Sequence, residues 1–441
     1  MTIALVLNHY LPDQVAGTEV YTSLLADYIS QQGIKVYIII PNYGQIINKI
    51  YTYNGVDVHC YAEPSLVDRS LITGKRKPDG LESFSNLISS LNPDIVHFQE
   101  LAGSNGITVH HVELAKAKGY KTLMTFHLAG YSCMTGNLML NGISVCSGRI
   151  NPLTCTNCVY ASKEIPTVQR KALYFLSKSF YSLGFDPSVL NSTIGTAIGY
   201  PFVVKRKHES LIRLTDVCDK VITLTKWYER VLKQNGVNPD KIAFIPQALP
   251  SFSVKPTKEK NIFSDEIKLV FVGRISPFKG LHILIEAIKS FDTNLISLDI
   301  YGFSSGDDYE NNLRKASRFY KNIKWCGGIE PGNAVEVMSS YDALCLPSTF
   351  SEMSPLVIQE AFSAGIPIIA SNVYGNTEQI KHNINGLLFE FNNSDSLRMQ
   401  LKNLLDEPEL LSKLKANIIQ PDTFEKVGNA YLQLYSDLVT A

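Results

Sequence analysis

The stretch from Leu346 to Ser371 leaves the chain few ways to fold. Ser354 can cap a helix, and Pro355 suits its first turn, where no N–H is needed. Val357, Ile358, Ala361 and Phe362 follow at helical spacing. Gly365 stops that helix and Pro367 bars its return. The apolar run Ile368 to Ala370 then reads as a buried strand. The unit is strand, loop, helix, strand, with Glu352 in the loop and Glu360 inside the helix.

The same alternation recurs along the chain. Ile3 to Leu7 is a short strand, Asn8 to Ala16 a polar loop, and Gly17-Thr18-Glu19 opens a helix with an apolar stripe of Val20, Leu24, Leu25 and Tyr28. Gly33 ends it before a strand at Val36 to Ile40. Further strands are expected at Ile95 to His97, Leu123 to Phe126, Val221 to Leu224, Ile242 to Ile245 and Lys268 to Val272. Helices fall near Ile107 to Lys118 and after Thr225. Strands alternating with helices imply parallel sheets covered on both faces, with ligands at the carboxyl ends of the strands. His127 and Arg274 occupy such ends. The loop before Gly17 has no Gly-x-Gly-x-x-Gly, which argues against a nicotinamide dehydrogenase.

At 441 residues the chain exceeds one ordinary core. The expected organisation is α/β, with two doubly wound Rossmann-like domains at 1–250 and 265–422. Residues 251–264, polar and carrying Lys255-Pro256 and Lys258-Glu259-Lys260, read as the linker. Thr423 to Val439 has helical spacing. Lys+Arg and Asp+Glu both number 41, so no global field recruits nucleic acid. The N-terminus lacks a basic region and a long apolar run, and no window approaches a bilayer span. A cytoplasmic protein is expected, with its eight cysteines as thiols rather than disulfides.

The spacing in 346–371 suits a nucleotide. A helix N-terminus offers free N–H groups and partial positive charge to a phosphate. Glu360 lies roughly 7–8 Å further along the axis, about the distance from a diphosphate to its ribose. Its carboxylate can accept from two hydroxyls. Glu352 stands on the other side of the phosphates, where a transferred sugar would be.

Glu352 and Glu360 form a Glu-x7-Glu pair, and Val272 to Gly280 (Val-Gly-Arg-Ile-Ser-Pro-Phe-Lys-Gly) precedes them. Together they resemble the retaining, two-domain (GT-B) glycosyltransferases of family 4, most strongly from 268 to about 390. The resemblance implies two domains facing a central cleft, with the closing helix 423–441 returning to the first. It also implies transfer of a hexose-type sugar from a nucleotide diphosphate donor to a glycan or lipid-linked acceptor, with retention, in polysaccharide biosynthesis. Catalytic roles fall on His127, Arg274, Lys279 and Glu352, and donor binding on Gly17, Thr18, Met353, Ser354, Leu356 and Glu360. The family usually has two glycines where Ala16-Gly17 stands, and often Asp where Leu128 follows His127. No Asp-x-Asp metal motif is present, since Asp307-Asp308 is adjacent. Arg274 and Lys279 can neutralise the leaving diphosphate instead, so no catalytic metal is expected. The same fold serves nucleotide-sugar epimerases, which lack the glutamate pair, and a non-catalytic carbohydrate-binding or scaffold protein is a third alternative.

Four cysteines, Cys133, Cys146, Cys155 and Cys158, cluster in the loop 128–162 at Cys-x12-Cys-x8-Cys-x2-Cys. Four thiolates make a tetrahedral zinc set; an iron–sulfur cluster lacks its usual compact spacing, and free thiols are the remaining alternative. Cys60, Cys218, Cys326 and Cys345 are expected in the core. Residues 163–213 hold eight Lys/Arg against three Asp/Glu, with Leu173, Leu176, Phe180 and Leu183 in an apolar line and Lys205-Arg206-Lys207 as a second basic spot. That pattern fits an anionic membrane surface, or a core-facing helix with solvated charges.

Overall fold

The computed structural model describes residues 1–65, 71, 76–101, 106–190, 192–249, 266–303, 306–330 and 332–440. The expected linker 251–264 lies outside them. The chain divides into two compact units. Met1–Gly142, Cys146–Gln247 and Phe424–Ala441 make the first; Ala248–Thr423 with Ile143–Val145 makes the second.

The first unit is built on β1 (Thr2–Val6), β2 (Lys35–Tyr43), β3 (Lys49–Tyr53), β4 (Val56–Glu63), β5 (Ile95–Phe98) and β6 (Lys121–Phe126). After the short β7 (Met139–Leu140), and after β8 (Ser144–Val145), whose residues group with the second unit, come β9 (Lys220–Thr223) and β10 (Ile242–Phe244). The sheet order is β10-β9-β6-β5-β1-β2-β4-β3. Every pairing is parallel except β3 with β4. Ile3 to Leu7, Ile95, Val96, Phe98, Leu123 and Met124 are almost wholly buried, as strands covered on both faces must be. Strand order reverses between β1 and β5, so the loops after them diverge and leave a crevice at their carboxyl ends.

The helix Gly17–Gln31 buries Tyr21, Thr22, Leu25, Ala26 and Ile29. The expected stripe is therefore rotated: Val20, Leu24 and Tyr28 are only half-buried. The reason is a second neighbour, the terminal helix Phe424–Thr440 of the same unit. Tyr21 donates its hydroxyl to that of Tyr431 at 2.9 Å, and Tyr28 lies 6.3 Å from the Phe424 ring.

The second unit is a sheet of β11 (Ile267–Val272), β12 (Ile296–Tyr301), β13 (Ile323–Gly327), β14 (Ala343–Leu346), β15 (Ile368–Ser371) and β16 (Gly386–Phe389). All pairings are parallel, in the order β13-β12-β11-β14-β15-β16. Alternation sorts the core: Leu269 and Phe271 join Leu284, Leu298 and Leu401 on one face, while Val270, Leu344 and Leu346 join Ile358 and Phe362 on the other. The order reverses between β11 and β14, the loops that carry Arg274, Lys279 and Glu352.

Three expectations need correction. The helix Thr167–Ser182 buries only Ser177; of its apolar line Leu173 and Phe180 are half-buried while Leu176 (44% exposed) and Leu183 (81%) face outward, so the line is a core face only in part. The basic spot after Pro201 is largely spent: Arg206 pairs with Asp186 at 2.6 Å, and Lys207 is half-buried. Cys60, Cys218 and Cys345 are core residues, but Cys326 is only half-buried, because β13 is an edge strand.

Candidate active site

In the second unit the residues gather around the switch point between β11 and β14. The loop after β11 runs from Gly273 into a 3-10 turn at Pro277–Lys279, closed by Gly280. Gly280 has φ +69°, and an added Cβ would sit 1.8 Å from the Pro347 carbonyl oxygen, so the loops after β11 and β14 can only meet through glycine. Thr349 seals the contact with its N–H on the Phe278 carbonyl at 2.8 Å and its hydroxyl on that of Pro277 at 2.9 Å. A third loop, after β15, closes on the same place. Gly375 has φ +85°, and a Cβ there would lie 2.1 Å from the Glu352 carbonyl oxygen.

This packing delivers Lys279 to Glu352. The Lys279 Nζ stands 2.6 Å from Glu352 Oε1, and Ser348 donates its hydroxyl to the same oxygen at 2.7 Å. Glu352 is 7% exposed and Lys279 17%, so the pair is shielded from water. Arg274, in contrast, is exposed and has no ion-pair partner among the described residues. An exposed guanidinium on the same loop as a shielded ammonium offers a diphosphate one fork and one point charge.

The helix after Glu352 begins at Leu356, with Pro355 at the cap (φ −68°, ψ 116°). The expected cap by Ser354 does not form: Pro355 stands at the N-cap, where its fixed φ sets the entry and its side chain makes no capping hydrogen bond. Met353 is buried, Ser354 and Leu356 half-buried. Gly365 ends the helix by donating to the Phe362 carbonyl at 3.0 Å. Glu360 is half-buried, and no hydrogen bond reaches its carboxylate among the described residues. Burial pushes its pKa up to about 7. A desolvated carboxyl without donors is what a recognition site for hydroxyl groups presents before its ligand arrives. Asp307 caps the helix Asp308–Ser317 by accepting from the Glu310 N–H at 2.9 Å, which accounts for the adjacent aspartates.

In the first unit, His127 follows β6 and is 7% exposed. Its Nε2 lies 3.0 Å from Gln99 Oε1, so Nε2 carries the proton, and Nδ1 is a buried acceptor with no partner among the described residues. The Tyr21 ring, one turn into the helix opened by Gly17 and Thr18, packs edge-on at 5.2 Å. Burial holds His127 neutral, lowering its pKa to about 3. Gln99 is itself placed by His97, 3.2 Å from its Nε2, and His97 is fixed by Thr125 at 2.8 Å and Tyr435 at 2.7 Å. Support for the imidazole thus comes from β5 rather than from residue 128; Leu128 is 48% exposed. Gly17 is exposed, and an added Cβ would meet nothing within 4 Å, so nothing in the unit's own packing asks for glycine there.

Sequence reasoning missed Ser348, Gln99, Asn8, Glu19 and Glu100. Glu19 is 2% exposed with Oε2 unpartnered, and burial raises the pKa of Glu100, which Asn8 opposes by a hydrogen bond. A polar residue immediately beyond an apolar strand, as Asn8 follows β1 and Gln99 follows β5, was the available signal.

Comparison with known proteins fits this geometry. Residues 255–420 match the family model for glycosyl transferases group 1. The chain is 29% identical over 219 residues to the UDP-Gal:alpha-D-GlcNAc-diphosphoundecaprenol alpha-1,3-galactosyltransferase of Escherichia coli, covering 46% of this chain and 54% of that protein. It is 29% identical over 183 residues to the D-inositol 3-phosphate glycosyltransferase of Corynebacterium glutamicum, covering 39% and 43%. The chain thus spans about half the length of the curated relatives it matches. Among solved structures, HepE of Anabaena in complex with UDP-glucose superposes with a TM-score of 0.62 at 13% identity, over 99% of this chain and 100% of that one. Sucrose-phosphate synthase of Thermosynechococcus elongatus gives 0.66 at 15% identity, over 100% and 99%. These likenesses establish the fold as the pair of Rossmann-like domains of GT-B glycosyltransferases.

Proposed function

We propose that the chain is a retaining glycosyltransferase of the family 4 type, moving a hexose-type sugar from a nucleoside diphosphate donor to a glycan or lipid-linked acceptor in polysaccharide biosynthesis. The observation that carries this reading is the shielded Lys279–Glu352 pair, with the exposed Arg274 on the same loop as Lys279 and the donor-less Glu360 carboxyl in the helix that follows Glu352. A group 1 glycosyl transferase match over the same residues supports it. Arg274 and Lys279 take the charge that develops on the departing diphosphate, with Leu356 and its neighbours supplying backbone N–H groups. Glu360 accepts from the ribose hydroxyls, and Glu352 orients the sugar rather than attacking it. His127 is assigned the role of a hydrogen-bond acceptor for the donor sugar, through its buried Nδ1.

The acceptor is proposed to be met at an anionic membrane surface. Val168, Phe175, Leu176 and Leu183 are exposed on or next to one helix, whose Arg170, Lys171 and Lys178 supply charge complementary to acidic lipid. Among the described residues no helix is long and apolar enough to cross a membrane, so this contact would be peripheral. Flotation with anionic and neutral vesicles tests it. Binding only to anionic vesicles, lost in Phe175→Ser with Leu183→Ser, is expected; wild type that stays unbound on both removes the membrane from the reading.

The enzymatic reading is tested by incubating the protein with UDP-, GDP- and ADP-hexoses and following donor cleavage with and without Mg2+. Cleavage of one donor class in the presence of chelator is expected, with the product anomer matching the donor by NMR. No cleavage and no thermal stabilisation by any of the three would favour a non-catalytic protein.

A further inference from the structure

We infer that Cys133, Cys146, Cys155 and Cys158 form a structural zinc site that ties down the segment following His127. This inference rests on the cysteine loop alone and stands independently of the proposed activity.

The four thiols are spread over 26 residues of sequence, yet all four line one cavity of about 30 Å³. That space is close to one water's share of the liquid, the scale of a single ion. Cys155 and Cys158 sit three residues apart in the first two turns of the helix Pro152–Ser162, so they share a face. Its N-terminus is capped by Asn151, whose side chain accepts from the Leu153 and Thr154 N–H groups and so fixes the start of the helix. Cys146 enters from a turn in which the Gly148 N–H points back at its sulfur, 3.4 Å away, and Gly148 has φ +80°. Cys133 arrives from the 3-10 turn Ala129–Tyr131, directly after His127.

Further observations separate this cluster from four incidental thiols. Three of the sulfurs receive backbone N–H groups: Gly148 on Cys146, Asn151 on Cys155 at 3.4 Å, and Asn141 on Cys158 at 3.2 Å. A neutral thiol is a weak acceptor, whereas a metal-bound thiolate needs such donors to spread its charge. None of the four is in a disulfide. Lys207 is half-buried within electrostatic reach of Cys133, where four thiolates around a divalent ion would leave excess negative charge. Among the described residues no three or more His, Cys, Asp or Glu side chains stand as a group that could hold a metal ion, so the four thiols must draw together for the site to form. The cavity is where they would close to the roughly 2.3 Å bonds of a tetrahedral site. Four deprotonated cysteines and Zn2+ complete the coordination, four protons leave, and no position remains for a substrate.

Metal analysis of the protein as purified is the test, read beside the visible spectrum and the thiol count. About one zinc per chain, a colourless solution and four thiols that react only as zinc is released are expected. Exchange into Co2+ should give the intense visible d–d bands of a tetrahedral thiolate site. Cys155→Ser with Cys158→Ser should fall below about 0.2 zinc per chain and lose several degrees of Tm. Cys326→Ser, outside the cluster, should keep both values. Should the double variant fail to fold, Cys146→Ser alone carries the comparison. Iron with a broad visible band would reassign the site to a cluster. Zinc-free protein whose Tm does not move on adding Zn2+ would overturn the inference outright.

Discussion

Glu360 makes donor binding dependent on pH. Burial pushes its carboxyl up to about 7, against 4.5 for an ordinary glutamate, because it is desolvated and no donor faces it. A ribose that gives it two hydroxyl hydrogen bonds favours the ionised form, so binding lowers the pKa and releases a proton. The sign follows: the free protein holds the proton below pH 7 and must lose it to bind, so affinity falls as pH falls. With a free-state pKa of about 7 and a bound-state value near 4.5, the competent fraction is about 0.9 at pH 8 and about 0.1 at pH 6. The dissociation constant should therefore weaken about tenfold over that range, close to 1.4 kcal/mol. Calorimetry with a nucleoside diphosphate sugar is the right assay, since its phosphates are diesters and do not titrate there as a terminal phosphate does. At pH 7 the heat should vary with buffer ionisation enthalpy, corresponding to about half a proton released. Glu360→Gln should bind more weakly at pH 8 and show neither dependence. A wild-type affinity flat from pH 6 to 8, or a slope that survives in Glu360→Gln, would refute the assignment.

Three further outcomes follow from the same contacts. Arg274→Ala should lower turnover about 10²-fold with stability unchanged within about 0.5 kcal/mol, since Arg274 is exposed and unpaired; Lys279→Ala should lower turnover similarly but also cost about 3 kcal/mol in denaturant unfolding, because it leaves Glu352 shielded without its cation. Equal stability of the two variants would mean the pair is not the one described. Nitrogen NMR should find His127 protonated on Nε2 in the wild type and mixed between tautomers in Gln99→Leu, and an unchanged tautomer would remove Gln99 from its role. Burial holds His97, His111 and His127 near pKa 3, so below pH 6.5 the unfolded chain takes up protons they cannot. Stability should fall with acid by up to about 1.4 kcal/mol per pH unit for each, and a Tm constant from pH 7 to 5 would contradict this.

The strands were legible because buried parallel strands are uninterrupted apolar runs. Ile95 to His97 and Lys268 to Val272 stand within a residue or two of β5 and β11. In the second unit the elements around 346–371 were legible because their spacing is local: Glu352 lies in the loop after β14 and Glu360 in the helix Leu356–Ser363, as the sequence implied. What escaped depends on neighbours remote in sequence. The rotation of the helix Gly17–Gln31 is set by Tyr431, 410 residues from Tyr21. Gln99 could not be matched to His127 without knowing that β5 and β6 are adjacent. The partly covered helix Thr167–Ser182 has the same apolar spacing as a core helix, and spacing alone does not say how much of it is covered.

The terminal helix Phe424–Thr440 also fixes when the first unit can be finished. Tyr431 and Tyr435 are wholly buried, and Tyr435 is a hydrogen-bond partner of His97 in the chain of contacts that ends at His127. Domains usually complete themselves in the order in which the ribosome delivers them. Here residues 1–247 leave it with Tyr21 and His97 lacking their partners, and the whole second unit intervenes before the missing wall arrives. Without residues 424–440, Tyr21 would lack its Tyr431 partner and His97 its Tyr435 partner, so the contacts that hold Gln99 and His127 in place would lose one of their supports.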